Sequence, residues 1–166
     1  MLMSSWPGGR SNVGGGFRVV DITFDTNVII RMFQPRNTVR EHEKLVEIEK
    51  ARKLYEKMAR GRHLAIIPEC VLAEFCAVYS RLTNPSLALR AASKVREITK
   101  VIAPCHEPGF FRVVALIDHT FDAIPFSVAH LYGTTFITAD EGFYKYILDK
   151  GLDKRLNVDV LLLREL

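Results

Sequence analysis

Val19-Val20-Asp21-Ile22-Thr23-Phe24-Asp25-Thr26-Asn27-Val28-Ile29-Ile30 is the stretch that decides how this chain reads. A run rich in β-branched and aromatic residues leads into an acid, and a second apolar run follows almost at once. Asp25 therefore stands where a buried strand ends and a helix begins. In an open parallel sheet, that edge is where ligands bind. Taken alone, Asp25 reads first as a cap for the helix that follows. Any chemistry depends on which other acids the chain carries to the same edge.

Outward from this point, strand and helix patterns alternate. Residues 17–24 form the first strand, and a short helix runs from after Asn27 to before Pro35. Residues 38–60 place Leu45, Ile48, Ala51, Tyr55 and Met58 at helical spacing, and Gly61 stops that helix. A short strand at 63–67 ends at Pro68, and a helix at 69–82 carries Val71, Phe75, Val78, Tyr79 and Leu82 on one face. Asn84-Pro85-Ser86 breaks the chain before a basic helix that runs to about Lys100, with a weak strand at 101–103. Helices are expected at 110–118 and 122–132, strands at 134–138 and 158–163, and a helix at 141–150 between those two strands. Pro125 fits near a helix start, where its missing N–H would have no partner anyway. The alternation predicts an α/β fold with a parallel sheet covered on both faces.

The first 16 residues, with Pro7 and five glycines, read as a flexible tail, leaving 17–166 as one domain. Their glycines are not followed by Gly-Lys-Ser/Thr, which excludes a phosphate loop. Hydrophobic residues make up 48% and charged residues 25%, the balance of a globular protein. No apolar run approaches the roughly 18 residues a membrane span needs, and the start lacks the layout of a secretion signal. A cytoplasmic location is the expectation. Cys70, Cys76 and Cys105 show no CxxC spacing and are expected to be buried thiols. The five histidines show no paired-ligand spacing, and His130 is expected at a surface or interface. Apolar helices ending near Tyr79 and Tyr132 are candidates for a homodimer face.

The net charge is +4. Between Arg36 and Arg62 stand nine Lys/Arg and five Asp/Glu, so the whole excess sits in that segment. Such a segment suits phosphate contacts. It equally suits a solvated helix face with i,i+4 pairs such as Glu49–Lys53 and Glu56–Arg60.

Four acids belong together if the sheet gathers them. Asp25 follows the first strand, and Asp140 follows the strand at 134–138. Were those strands neighbours at a topological switch point, both carboxylates would open into one crevice. Glu74 lies at the edge of an apolar helix face, and Asp122 opens a helix. Each has a plain structural use, as a cap or as a partner of a nearby Arg. Jointly they repel: two unit charges about 4 Å apart cost about 4 kcal/mol at an effective dielectric near roughly 20. A cluster must hold protons or a counter-charge, and oxygen donors suit Mg²⁺ or Mn²⁺. Such an ion serves phosphodiester hydrolysis. Asp21 lies on the same strand face as Asp25. It is read as a second acid below that site or, preferably, as a partner for a buried backbone or Arg group.

At this point the chain resembles a known family. The strand with Asp25-Thr26-Asn27-Val28 is similar to the first motif of the PIN domain, and Pro68-x-x-Val71-x-x-Glu74 to its second. Phe121-Asp122-Ala123-Ile124, with Ala129 and Gly133 following, is similar to the third, and Phe136-Ile137-Thr138-Ala139-Asp140, with Phe143, to the fourth. The resemblance implies a three-layer α/β/α domain with a central parallel sheet. It also implies a metal-dependent endoribonuclease, frequent among VapC-like toxins, which act on RNA, form homodimers and pair with an antitoxin protein. On this resemblance Asp25, Glu74, Asp122 and Asp140 hold Mg²⁺ or Mn²⁺, with Asn27 and Thr138 in support. The long helix at 38–60, the tail and Pro125, which stands where the family usually has a small or aliphatic residue, depart from the pattern.

Rival readings fare less well on the residues. A haloacid-dehalogenase-like phosphatase needs a second acid two positions after Asp25, where this chain has Asn27. A receiver domain wants paired acids before the first strand's end and a late lysine. A catalytically silent nucleic-acid-binding or scaffolding module of the same fold stays open. A phosphate binder would, however, gain nothing from four uncompensated acids.

Overall fold

The computed structural model describes residues 20–119 and 121–166. The tail expected at 1–16, and with it the domain boundary, lies outside the described residues. Five strands are present: β1 (Val20–Phe24), β2 (His63–Pro68), β3 (Thr99–Ile102), β4 (Thr135–Thr138) and β5 (Val160–Leu162). They form one sheet in the order β3-β2-β1-β4-β5, every pair parallel. The order reverses at β1. Its residues Ile22, Thr23 and Phe24 pair with Thr135, Phe136 and Ile137 of β4, while Val20, Asp21 and Ile22 pair with His63, Leu64 and Ala65 of β2. The switch point expected between Asp25 and Asp140 is therefore real.

Eight helices are described: α1 (Thr26–Phe33), α2 (His42–Ala59), α3 (Glu69–Leu82), α4 (Pro85–Ile98), α5 (Phe110–Val114), α6 (Ala123–Tyr132), α7 (Glu141–Asp149) and α8 (Leu152–Leu156). Alternate strand residues feed two cores, as the two-residue period requires. Ile22, Phe24, Ala65, Ile67 and Ile137 pack with α1–α4, whereas Phe136 and the partly buried Val160 pack with α6–α8. Ile66 joins Phe110 and Val128 beside α5 and α6. Both sheet faces are thus covered, which explains near-continuous apolar strands. Thr23, fully buried on β1, finds its partner in Thr134 (Oγ1···Oγ1 2.7 Å).

The structure corrects several local expectations. Asp21 is exposed rather than buried, so it serves neither the site nor a buried partner. The 38–60 helix starts only at His42, because Pro35 leads into a 3₁₀ turn at Arg36–Thr38. Glu49 pairs with Arg36 (2.6 Å) instead of Lys53, and among the described residues Glu56 forms no ion pair with Arg60. The buried charge on α2 is Glu47, held by Arg31 of α1 at 2.9 Å. Cys70 and Cys76 are half-buried, but Cys105 is exposed. His130 has a structural bond, its Nδ1 lying 2.6 Å from the Leu156 carbonyl oxygen. Helix α8, between Gly151 and Asn157, was not expected.

Candidate metal and nuclease site

Asp25 caps α1, as its position alone suggests: its backbone is extended and Oδ1 accepts the Val28 N–H at 3.0 Å. Its other oxygen, Oδ2, accepts the Thr138 hydroxyl at 2.5 Å. Asp25 as a whole is only 2% exposed. Burial, and to a smaller degree the charge of Asp122, push its pKa up to about 6 against the pull of the Thr138 and Val28 bonds. A cap does not need burial of this kind, because caps commonly work at the surface.

Asp140 repeats the geometry one strand away. It caps α7, with Oδ1 accepting the Phe143 N–H at 2.9 Å, and its own N–H donates to Thr138 Oγ1 at 2.9 Å. A Cβ on Gly142 would meet Asp140 Oδ1 at 3.2 Å, so a glycine here leaves the carboxylate its place. The next acid, Glu141, is paired with Lys145 (2.7 Å) and Arg164 (3.1 Å).

Glu74 reaches the site from α3. Its Oε2 accepts the Thr26 hydroxyl at 2.5 Å, which ties α3 to the first turn of α1. Thr26 had no role in the sequence reading. Its signal was available, since it stands between two residues of the first motif. Asn27 is exposed and lines the cleft, yet no side-chain bond from it to an acid is present among the described residues.

Asp122 precedes α6 but, unlike Asp25 and Asp140, makes no capping bond. The reason is local. The amide that an N-terminal acid captures, three residues on, is Val28 for Asp25 and Phe143 for Asp140. For Asp122 it is Pro125, which has no N–H. The half-buried carboxylate instead faces His119, with Oδ2 3.7 Å from Nδ1. Its pKa is raised by burial first and by Asp140 next, His119 offsets part of this, and Glu74 raises it further. His119 is held by packing against Tyr146 and Phe143, at ring-centroid distances of 4.5 and 5.1 Å.

Asp25, Thr26, Asn27, Glu74, Asp122, Ile30, Val71, Val78, Phe121 and Pro125 line one cleft of about 90 Å³. That is well below the roughly 300–1,000 Å³ of a small-molecule pocket. No Lys or Arg lines it. Among the described residues, no three His, Cys, Asp or Glu side chains converge as a ready-made chelate. The donor set still fits a hard divalent cation, being oxygen-only and partly buried, with no Lys or Arg in the cleft lining.

No curated protein matches the sequence. A solved chain in "Crystal structure of VapBC2 from Rickettsia felis bound to a DNA fragment from their promoter" shares the fold. The TM-score is 0.57 at 14% identity, covering 86% of this chain and 98% of that one. The PIN domain family matches residues 22–147, all four acids included. That match covers most of the chain, which belongs to the PIN domain family.

Proposed function

We propose that this protein is a metal-dependent endoribonuclease that hydrolyses RNA phosphodiester bonds, the work of many PIN domains. The observation that carries the reading is Asp25: a carboxyl group buried beside other acids, with its pKa pushed up to about 6 and no Lys or Arg lining the cleft. Burying uncompensated acids is costly, and a cation relieves that cost. Asp25, Glu74, Asp122 and Asp140 would hold Mg²⁺ or Mn²⁺, which when bound supplies charge to a phosphate oxygen and acidifies water. Thr138 fixes the direction of the Asp25 carboxylate, and Thr26 fixes that of Glu74. Asn27, exposed in the cleft, would orient water.

The fold shared with a VapBC2 chain supports a place in a toxin–antitoxin pair with an antitoxin protein; a second copy of the chain is the other partner of this reading. Among the described residues no helix is long and apolar enough to cross a membrane. One observation favours a second reading, a catalytically silent nucleic-acid-binding module: no three of these acids converge as they stand. Incubation with single-stranded and structured RNA, in Mn²⁺ and in chelator, separates the two. The nuclease reading expects Mn²⁺-dependent cutting that Asp25→Asn and Asp140→Asn abolish. Binding without metal-dependent cutting would sink it.

A further inference from the structure

Phe121 is 67% exposed, more than any other large hydrophobic side chain among the described residues. It nevertheless lines the acid cleft and directly precedes Asp122. Its carbonyl accepts the Ile124 N–H at 3.2 Å, which ties it to the first turn of α6. The side chain itself belongs to no core cluster and makes no ring contact among the described residues, unlike Phe126, Phe136 and Phe143. Phe121 thus displays an aromatic face to water at the mouth of the site. Ile30, Val71, Val78 and Pro125 extend the apolar part of the same lining.

RNA affinity ordinarily comes from Lys and Arg on the phosphate backbone. This cleft has neither in its lining. Besides the acids, Thr26 and Asn27, its walls offer apolar surface, and the faces of unpaired bases take aromatic partners regardless of sequence. In a duplex those faces are hidden in the stack. We propose that Phe121 is a base-contact residue: it stacks on an unpaired nucleobase beside the bond to be cut. This rests on the nuclease reading above and names a residue that would grip its substrate.

The test measures binding of a short fluorescein-labelled single-stranded RNA of mixed sequence in chelator, and KM and kcat in Mn²⁺. Phe121→Ala and Phe121→Leu should weaken binding and raise KM by roughly tenfold, while Phe121→Tyr and Phe121→Trp keep both near wild type. Mn²⁺ affinity and the melting temperature should not move in any of the four. An otherwise identical oligonucleotide with abasic residues should bind wild type and Phe121→Ala alike. Equal RNA binding by wild type and Phe121→Ala overturns the proposal while leaving a cutting wild type a nuclease. A Phe121→Ala defect that persists on the abasic strand, or duplex bound as well as single strand, also overturns it. A wild type that neither binds nor cuts RNA removes both readings together.

Discussion

The Thr138 hydroxyl donates to Asp25 Oδ2 at 2.5 Å and accepts the Asp140 N–H at 2.9 Å. One buried side chain on β4 thereby ties the ends of two neighbouring strands and orients both acids that follow them. Thr138→Val removes a donor from a buried carboxylate and an acceptor from a backbone amide. The expected cost is about 1–3 kcal/mol, read by urea unfolding. Loss of the bond also pushes the Asp25 pKa higher, whereas Thr138→Ser retains both effects of the hydroxyl. A Thr138→Val protein as stable as wild type would remove the bridge from the account.

Asp25 is a liability in the metal-free protein. Its folded pKa of about 6 stands above its ordinary 3.8. Between those values the folded state holds more protons than the unfolded one, so stability falls as pH rises through the window. Above about pH 6 the full cost is present, on the order of 3 kcal/mol for a shift of about two units. Asp25→Asn keeps a capping oxygen for Val28 and carries no charge. In chelator at pH 8 it should be more stable than wild type by about 1–3 kcal/mol, the gain shrinking toward zero near pH 4. Calorimetric melts across that range check the sign.

Metal should reverse that liability. At about a hundredfold excess over its Kd, Mn²⁺ is expected to stabilise the protein by about 2.7 kcal/mol, and chelator should return the melting temperature to its starting value. The response should weaken as pH drops through about 6, where Asp25 takes up its proton. Cutting rate should rise through the same range. Differential scanning fluorimetry on wild type, Asp25→Asn and Asp140→Asn reads this directly; an unchanged response in both variants would place the metal elsewhere.

The Arg31–Glu47 pair, 2.9 Å apart, joins α1 to α2 with Glu47 buried. Arg31→Met leaves that carboxylate buried and unpaired, which should cost about 3 kcal/mol or more. Glu47→Gln should cost less, and Arg31→Met with Glu47→Leu should recover most of the loss. Denaturant midpoints for the three variants give the comparison.

The acids were legible because each sits at a punctuation mark in the pattern: Asp25 and Asp140 after β-branched runs, Asp122 before an apolar helix, Glu74 beside an apolar face. The parallel order of the strands also followed from alternation. Elements set by weaker signals were not legible. Helix α8 is five residues long between two left-handed positions, Gly151 and Asn157, too short to show a period. The partner of Glu49 lies 13 residues away at Arg36, and helical spacing pointed to Lys53 instead. Asp21 read as buried because alternation gives the face of a residue and not whether anything covers it.

The sequence by itself determined local matters: which residues end strands, and that Asp25 and Asp140 stand where a side chain can cap the helix that follows. These depend on bonds within a few residues, where the covalent chain fixes the geometry. Only the tertiary structure decided what Asp25 is. The Thr138 hydroxyl that holds it comes from 113 residues away, and the Thr26–Glu74 bond beside it spans 48. The burial that lifts its pKa comes from elements packed around the end of β1. Desolvation and charge coupling depend on distances through space, and only strand order and helix packing set those.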